Sequence, residues 1–419
     1  MKKKIVITGA GTIGLHCAYF LTREGHHVEI IETSEEQDKN GCSYGNCGFV
    51  VPSHFISLAS PAMLLSGLKL LFDAKGPVYL PFGKNIKNIP WFLKFLMAAN
   101  NKQVQKNAPV LYKLNEASRR LYAEINREHQ PPSEFRESGL LMASVTEEGL
   151  REETALTFLA EELGISTRIL APADMKIIEP NAEFNIKGAV LYKSDAIIRP
   201  EKHMLWLKSW LKEQGVIFHY GEPVEQLKTN GGKISAVLTK SNSYQADEYV
   251  LAAGSMTSVL ARMAGLSVPV IAGKGYSIDF PVSGRKLNTP VILTEAKVAI
   301  SPFGNTVRIG SGMEFSGMTG QIRYKRVQTM LDRTLRAIPL LFDQTDSRQL
   351  PVWEGLRPLS PDGIPYIGRT AQYRNLSIAA GHAMMGMSLA PVSGKIISDL
   401  ISGKHPEYAC HEIHPDRYA

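Results

Sequence analysis

The first thirty residues of the chain alternate between apolar runs and a glycine-rich turn. Residues 4–8 form a short apolar run that predicts a buried parallel strand, and residues 9–14 form a tight turn. Apolar side chains then recur at helical spacing, which predicts a helix over residues 12–24 that ends at Gly25. A second apolar strand over residues 28–32 completes a β-α-β unit with parallel strands.

The rest of the chain mixes helical and strand-like segments. Helical spacing of apolar residues predicts helices over residues 86–128, 146–163 and 321–338. Strand-like runs lie at residues 139–145, 188–198, 216–219, 249–254 and 270–308, and residues 376–400 repeat the order strand, glycine turn and helix. Segments of parallel β-α type therefore lie at the start, middle and end of the chain, with a mixed α+β insertion between them.

The length of the chain exceeds what one core usually supports. Its 419 residues are 44% hydrophobic and 21% charged, which is an ordinary globular composition. Because single cores rarely grow past about 250–300 residues, we expect more than one domain. No repeat and no flexible linker stands out, so the prediction is two interleaved domains. The first takes residues 1–84, 199–268 and 350–419, and the second takes residues 85–198 and 269–349.

Charge and cysteine usage narrow the class of partner. The formal net charge of +7 is spread without runs of five like charges, which disfavours a nucleic-acid partner. Four cysteines without a CxxC pair indicate neither a disulfide framework nor a zinc site, and they favour a reducing compartment. The apolar run behind the N-terminal lysines stops at Thr8, and no stretch reaches the ~18–20 apolar residues of a membrane-spanning helix. We therefore expect a cytoplasmic protein without a metal site.

The turn after the first strand has the pattern G-x-G-x-x-G, formed by Gly9, Gly11 and Gly14. The first glycine permits the turn, the second lets a pyrophosphate approach the backbone, and the third allows the helix to pack closely on the strand. Glu32 follows at the end of the second strand, where a carboxylate accepts hydrogen bonds from ribose hydroxyls. These features predict a dinucleotide-binding site. Its neighbouring residues are Thr12, Ile13 and Thr33.

Two later segments suit an extended cofactor, although each has a plain structural alternative. Residues 41–48, here called the small-residue loop, are dense in glycine and hydroxyl side chains that allow backbone to run alongside a ligand; a surface loop is the alternative. Residues 252–254 end a strand in a second small-residue turn, for which a simple turn is the alternative. The glycine pattern occurs in both NAD-binding and FAD-binding proteins, so it does not distinguish which of the two cofactors is bound.

The C-terminal third contains the residue that best suits an anionic substrate. Arg357 lies between turn-forming residues in the segment 353–368, which would hold its guanidinium fork in one position for a carboxylate. A surface arginine is the alternative. Residues 379–388 end a strand and open a helix, whose leading N–H groups suit the electron-rich edge of a reduced flavin ring.

These segments, in this order along the chain, resemble the D-amino-acid-oxidase superfamily of FAD-dependent oxidoreductases. Residues 90–96 and 274–277 are similar to its bacterial D-amino acid dehydrogenase branch, whereas glycine oxidase is similar mainly in the last third of the chain. The resemblance implies an α/β fold in which a Rossmann-like FAD-binding domain, the first domain above, is interleaved with an α+β substrate domain built on a mainly antiparallel sheet.

The resemblance also implies roles for single residues. Arg357 matches the arginine that binds the substrate carboxylate, Tyr276 matches a position in the substrate pocket, and Val224 falls where backbone contacts adenine. Around the rest of the cofactor the resemblance places Ser43, Asn46, Gly48, Ala253, Gly254, Gly381, Met385, Gly386, Met387 and Ser388. No cysteine stands in the C-terminal pattern where related enzymes attach flavin covalently, so we expect non-covalent FAD.

Two histidines and one aromatic cluster allow more than one interpretation. For His54 we expect a structural or surface role, with an approach to the flavin as the alternative, and for His382 a role in positioning the turn or the flavin. Hydride transfer from a neutral amine needs no enzymic base. We expect the cluster at residues 91–95 in the core or at a domain interface, and the alternative is a face for a membrane or a quinone.

The resemblance implies an FAD-dependent dehydrogenase that oxidises the Cα–N bond of a D-amino acid to the imino acid by hydride transfer to flavin N5. The apolar Met384, Met385 and Met387 favour D-proline or hydroxy-D-proline as the substrate. Three alternatives stay open: a glycine or N-methyl amino acid oxidase of the sarcosine type, an NAD-linked dehydrogenase, and a flavin-binding module without turnover. The electron acceptor is either a quinone or oxygen. We also expect peripheral contact of the protein with the inner face of the membrane.

Overall fold

A computed structural model describes residues 1–419 except residues 39–40, 72–75, 82, 84, 283–285, 319–320 and 343–349. In this part of the chain the helices are α1 Thr12–Arg23, α2 Pro61–Leu71, α3 Ile89–Ala98, α4 Asn101–His129, α5 Glu147–Glu162, α6 Pro172–Ile178, α7 Pro200–Glu213, α8 Thr257–Met263, α9 Tyr324–Ala337 and α10 Gly386–Ser402. The strands are β1 Lys4–Thr8, β2 His27–Ile31, β3 Phe49–Val50, β4 Val78–Tyr79, β5 Leu140–Ser144, β6 Thr167–Leu170, β7 Gly188–Tyr192, β8 Ala196–Ile197, β9 Ile217–His219, β10 Val224–Asn230, β11 Lys233–Thr239, β12 Ser243–Tyr244, β13 Glu248–Leu251, β14 Ile271–Pro281, β15 Val291–Leu293, β16 Val298–Phe303, β17 Thr306–Glu314, β18 Trp353–Leu359, β19 Tyr366–Arg369 and β20 Leu376–Ala380.

The first sheet is built from segments that are distant in sequence. Its six strands follow the order β19-β20-β13-β1-β2-β9, and all neighbours are parallel except β19 and β20. β1 lies in the middle, where Ile5, Val6 and Ile7 are fully buried. A strand that is covered on both faces reads as a continuous apolar run, which is why the sequence predicted β1 with its observed bounds.

Helices α1 and α10 pack directly against each other and share a core with β1. Gly394 of α10 lies on the backbone of α1, where a Cβ would stand 2.5 Å from the carbonyl oxygen of His16. Buried Leu15 and Ile397 belong to the same core. Because residue 394 has no side chain, the two helices approach closely, and the position of one fixes the position of the other.

The second sheet is mainly antiparallel, as the resemblance implied. Its central path follows the order β18-β14-β17-β16-β15-β5-β7-β6, and β4 pairs with β17 at the side. Only the pairs β15 with β5 and β17 with β4 are parallel among the described strands of this sheet. β14 pairs with β17 on one side and with β18 on the other, so that Gly273 faces Arg357 and Gly275 faces Gly355.

The small-residue loop joins the two sheets through its carbonyl groups. Arg308 of β17 donates from Nη1 to the carbonyl oxygens of Tyr44, at 3.1 Å, and Asn46, at 2.8 Å. Ser277 of β14 donates from Oγ to the carbonyl oxygen of Gly45 at 2.8 Å. Ser301 of β16 donates in the same way to the carbonyl oxygen of Cys47 at 2.6 Å. These contacts, here called the carbonyl clamp, hold four successive loop residues on the second sheet.

The predicted division into two interleaved domains stays a prediction. Its boundaries at residues 84 and 349 fall outside the described residues. β4 and β18 hydrogen-bond to the second sheet, although the predicted boundaries group them with the strands of the first sheet. No helix in the described part of the chain is both long and apolar enough to cross a membrane.

We predict that Arg308→Ala destabilises the fold. The Arg308 side chain is 6% exposed and also pairs with Asp279, at 2.6 Å from Nε to Oδ1. Arg308 Nη2 also lies 3.3 Å from Glu201 Oε2. Its loss leaves two carbonyls and two carboxylates without this partner, which should lower the free energy of unfolding by about 3 kcal/mol. Urea unfolding followed by circular dichroism measures this change. Arg168→Ala, at a side chain that is 53% exposed, is the control and should stay near the wild type, whereas equal midpoints for both variants would contradict the prediction.

Candidate functional site

A cavity of about 2880 Å³ lies between the two sheets. It is lined by the residues that follow β1, β2 and β13, by the small-residue loop, and by β18. Ligands of open parallel sheets bind at the carboxyl ends of the strands, and this cavity begins at those ends. Its volume exceeds the roughly 300–1,000 Å³ of an ordinary small-molecule cleft, so it has room for a large cofactor together with a substrate.

The glycine turn after β1 opens onto this cavity. Gly9 has a φ of +101°, which favours glycine, and a Cβ on Gly14 would stand 1.9 Å from the carbonyl oxygen of Gly9. A Cβ on Gly11 would have Ser43 Oγ, at 3.7 Å, as its nearest neighbour. Glycine is therefore needed at residues 9 and 14 for the turn and its packing, while Gly11 lies beside Ser43, whose Oγ accepts a hydrogen bond from Thr12 N at 3.2 Å.

Glu32 lies directly after β2 at the same end of the cavity. Its Oε2 accepts a hydrogen bond from Ala10 N at 2.6 Å, and its Oε1 accepts one from Ser34 N at 3.0 Å. Thr33 and Val224, the first residue of β10, line the cavity beside it. The carboxylate is thus fixed by backbone at a wall of the cavity, where ribose hydroxyls could bind it.

The start of α10 forms another wall. Met385, Gly386 and Met387 line the cavity, and Tyr122 donates from its hydroxyl to the carbonyl oxygen of Met387 at 2.7 Å. Thr12 Oγ1 at the start of α1 lies 3.7 Å from Met387 Sδ. The N-terminal ends of α1 and α10 therefore meet at the cavity, and both favour negative charge on a ligand.

Arg357 of β18 lines the cavity on the side of the second sheet. Its guanidinium occupies the space above Gly275, where a Cβ would stand 2.1 Å from Nη1, and Nη1 donates to the carbonyl oxygen of Gly312. Burial lowers the pKa of Arg357, and the thiols of Cys42 and Cys47 lie near it. Among the described residues no carboxylate pairs with Arg357, so its charge is available to an anionic ligand.

Two of the predicted site residues use their polar atoms within the protein. His382 Nε2 lies 2.9 Å from Ser393 Oγ, and burial lowers the pKa of His382 to about 3. This ring therefore holds the turn after β20 on α10 as a neutral imidazole. The Tyr276 ring lines the cavity, but its hydroxyl accepts a hydrogen bond from Arg323 N at 3.4 Å. Burial raises the pKa of Tyr276, and Glu314 raises it further.

Most of the predicted site residues come together at the cavity. Those that line it are Gly9, Gly11, Thr12, Ile13, Glu32, Thr33, Ser43, Asn46, His54, Val224, Ala253, Gly254, Tyr276, Arg357, His382, Met385, Gly386 and Met387. Those that do not line it are Gly14, Gly48, Gly381 and Ser388. Ser388 instead links two elements, because its Oγ donates to Asn115 Oδ1 at 2.6 Å and accepts from Val51 N at 2.9 Å.

Like Gly14 described above, the other two glycines outside the lining, Gly48 and Gly381, shape the backbone behind the cavity wall. Gly48 has a φ of +73°, and a Cβ there would stand 1.8 Å from the carbonyl oxygen of Ile198. Gly381 has a φ of +77° beside the ring of Tyr366. Sequence reasoning missed Ser277, Ser301 and Arg308 of the carbonyl clamp, since an isolated serine or arginine in a strand carries no local signal of its distant partner.

The geometry fits an elongated dinucleotide with a second ligand beside it. The glycine turn before α1, the fixed carboxylate of Glu32 and the converging helix starts suit a pyrophosphate, a ribose and an electron-rich ring, in that order. His382 Nδ1 and Trp353 Nε1 are buried and find no hydrogen-bond partner in the described part of the chain, although both side chains line the cavity. Such orphaned polar atoms are expected where a ligand completes a site.

Comparison with known proteins agrees with this geometry. A family model described as FAD dependent oxidoreductase matches residues 4–400. D-amino acid dehydrogenase of Helicobacter pylori is 31% identical over 401 residues, which cover 96% of this chain and 95% of that protein. D-amino acid dehydrogenase of Methylobacterium nodulans is 31% identical over 422 residues, which cover 99% of each.

Solved structures show the same fold over the whole chain. Glycine oxidase from Geobacillus kaustophilus has a TM-score of 0.79 at 20% identity and covers 100% of this chain and 99% of that one. L-proline dehydrogenase from P. horikoshii has a TM-score of 0.76 at 19% identity, with 100% and 98% covered. The likeness in fold to glycine oxidase thus extends over the whole chain, while the expected sequence similarity in the last third stays a prediction. With a family match over nearly its full length, this chain belongs to the FAD-dependent oxidoreductases of the D-amino-acid-oxidase type.

Proposed function

We propose that this enzyme is a dehydrogenase that oxidises the Cα–N bond of a D-amino acid to the imino acid. The observation that carries the proposal is Arg357, which lines the cavity and has no carboxylate partner among the described residues. A half-buried guanidinium of this kind can bind a carboxylate in two parallel hydrogen bonds. The full-length similarity to bacterial D-amino acid dehydrogenases supports the choice of substrate class.

The cofactor would be held by the residues at the carboxyl ends of the first sheet. Gly9, Gly11 and the start of α1 would bind the pyrophosphate, Glu32 the adenosine ribose, and the start of α10 an edge of the flavin ring. When bound, FAD supplies the acceptor for the substrate hydride. Burial raises the pKa of the Cys42 thiol to about 11, which disfavours a thiolate at the cavity wall and supports non-covalent FAD.

The chain itself would supply binding and orientation. Arg357 would fix the substrate carboxylate, so that Cα has one position in the cavity, and this positioning is a large part of the rate enhancement in such reactions. Met313 lies close by, since a Cβ on Gly273 opposite Arg357 would stand 2.4 Å from its Sδ. Together with Met384 this apolar wall supports a D-amino acid with an uncharged side chain, D-proline and hydroxy-D-proline first.

We further infer that α3 touches a membrane surface from which a quinone could accept electrons. Ile86, Ile89, Leu93, Leu96 and Met97 form the α3 face, and each is more than half exposed. Trp91 points the other way, where its Nε1 donates to the carbonyl oxygen of Leu359 at 3.1 Å. The aromatic part of this segment therefore packs inside, as expected, while its aliphatic part is exposed and, apart from Met97, also lines the cavity. Exposed apolar faces of this kind are typical of membrane contacts.

Replacing Arg357 should raise KM for D-amino acids. The substrate carboxylate would lose a half-buried charge partner in Arg357→Ala, which we expect to raise KM about 100-fold while FAD stays bound. Steady-state kinetics with a panel of D-amino acids measures this, with D-proline included. Arg168→Ala is the matched control at an exposed arginine. Unchanged KM values across the panel would show that Arg357 does not bind the carboxylate.

The purified protein should be yellow and should lose its absorption near ~450 nm when a D-amino acid is added without oxygen. Acid precipitation should release the FAD, because it is not covalently attached. Reoxidation should be faster with a soluble quinone than with oxygen, and stopped-flow absorbance compares the two rates. Fast turnover with oxygen, or reduction by glycine or sarcosine alone, would favour the oxidase instead. A colourless protein would contradict the cofactor assignment.

The double variant Leu93→Glu with Leu96→Glu should weaken binding to membranes. Burying each leucine in a lipid surface is worth about 2 kcal/mol, so we expect at least about a tenfold loss of co-sedimentation with phosphatidylglycerol vesicles. Because Leu93 and Leu96 also line the cavity, turnover with a soluble quinone is measured on the same variant to separate an effect on the site from an effect on membrane binding. Phe158→Glu is the control, because Phe158 is 70% exposed on α5 and does not line the cavity. Equal sedimentation of both variants and the wild type would refute this contact.

A further inference from the structure

A buried carboxylate lies behind one of the cavity histidines. Asp195, between β7 and β8, is fully buried and forms no ion pair with any described residue. Both of its carboxylate oxygens bind Ser53: Ser53 N donates to Oδ1 at 3.1 Å, and Ser53 Oγ donates to Oδ2. Burying an acid beside a cavity without a charge partner costs free energy of folding, and such groups often have a functional role.

Ser53 connects this carboxylate to the cavity. Its Oγ also lies 3.2 Å from His54 Nδ1, and the His54 ring lines the cavity. The serine hydroxyl has one proton, which it donates to Asp195, so it can only accept from His54. That contact requires a proton on Nδ1. The neutral ring then has its lone pair on Nε2, the nitrogen that has no partner among the described protein atoms.

His382 provides an internal comparison. Its ring is also buried at the cavity, but its Nε2 contacts Ser393 Oγ within α10, and Ser393 Oγ donates to the carbonyl oxygen of Leu389 at 2.7 Å. A backbone carbonyl cannot take up a proton at ordinary pH. Of the two histidines, only His54 therefore begins a hydrogen-bond chain that ends on a group able to bind a proton, the carboxylate of Asp195.

We propose that His54, Ser53 and Asp195 form a proton relay that removes a proton from the α-ammonium group of the substrate. This proposal rests on the proposed function, because it concerns an amino acid bound as its ammonium form. The N–H bond of the ammonium breaks and its proton binds His54 Nε2. The Nδ1 proton moves to Ser53 Oγ, whose own proton moves to Asp195 Oδ2. The carboxylate becomes a carboxylic acid, the substrate becomes a neutral amine, and no electron moves.

The electrostatics of the three groups support this direction of transfer. Burial raises the pKa of Asp195 to about 7, and burial lowers the pKa of His54 to about 4. The charged groups nearest to Asp195 are Arg119 and Glu116, both on α4, and they act in opposite directions. Tyr192 of β7 is the other titratable neighbour. The proton therefore rests on Asp195 and passes through His54 without staying there.

The relay makes the reaction sensitive to pH near neutrality. Asp195 has a raised pKa, so it is ionised and able to accept a proton above about pH 7, and it is already protonated below that value. In the wild type, the limiting rate of flavin reduction by a D-amino acid should rise with an apparent pKa near 7 and then stay level. Anaerobic stopped-flow measurements between pH 5.5 and 10 give this profile independently of the electron acceptor.

Asp195→Asn and Ser53→Ala each remove one part of the relay. For both we expect reduction about 100-fold slower than wild type at pH 7.5, and a rate that rises about tenfold per pH unit. At pH 10 the amine is neutral without help, so each variant should approach the wild-type rate. Ser53→Thr keeps a hydroxyl and should restore the wild-type profile. Ser57→Ala, at a buried serine of the same segment, is the matched control.

A second measurement does not depend on turnover. Infrared spectra should show a carboxyl group that titrates near pH 7 in the wild type and is missing in Asp195→Asn. A structural defect alone would slow reduction equally at every pH, so parallel profiles for the variants and the wild type would overturn the relay. If D-amino acids reduce the wild type but the variants keep its profile, the relay fails and the proposed function stands. If no D-amino acid reduces the wild type, the proposed function itself fails.

Discussion

The carbonyl clamp is the constraint on which the rest of the structure depends. The small-residue loop leaves the first sheet, yet Ser277, Ser301 and Arg308 of the second sheet bind its successive carbonyls. Each backbone carbonyl in such a buried loop needs a donor, and here the donors are side chains of another sheet. The cavity has defined walls because this contact sets the distance between the sheets. The orientation of any ligand between them follows from the same few hydrogen bonds.

Charged groups of both signs line the cavity, and those that favour anions lie at particular places in it. The starts of α1 and α10 and the guanidinium of Arg357 all favour anions, and Glu32 is held by backbone at one wall. A pyrophosphate and an amino-acid carboxylate would satisfy these groups, and neither would compete for the place of the other. The histidines at the cavity are kept neutral by burial, so they do not add to the positive charge. Specificity for the cofactor and for the substrate would thus come from separate ends of one space.

Local pattern predicted the first β-α-β unit, and the resemblance to a known family supplied the rest of the fold, but neither indicated the residues that hold the two sheets together at the cavity. Gly9 and Glu32 could be predicted because the turn and the strand spacing place them within one β-α-β unit. Arg308 could not, since its partner Tyr44 lies 264 residues away in sequence. Asp195 looks like any acidic residue before a strand, and only burial beside Ser53 distinguishes it. Ser388 was predicted at the ligand, but its hydroxyl already has two partners in the protein.

The clamp also has a consequence for synthesis of the chain. The small-residue loop leaves the ribosome early, while Ser277 follows it by 232 residues counted from Gly45. At about 5–20 residues per second this separation corresponds to roughly 10–50 s. During that interval the first β-α-β unit can form its turn, but the loop has no donors for its carbonyls. The cofactor therefore binds late in folding. Until β14, β16 and β17 have been synthesised, the apolar residues of the future cavity stay exposed in the nascent chain and are prone to aggregation.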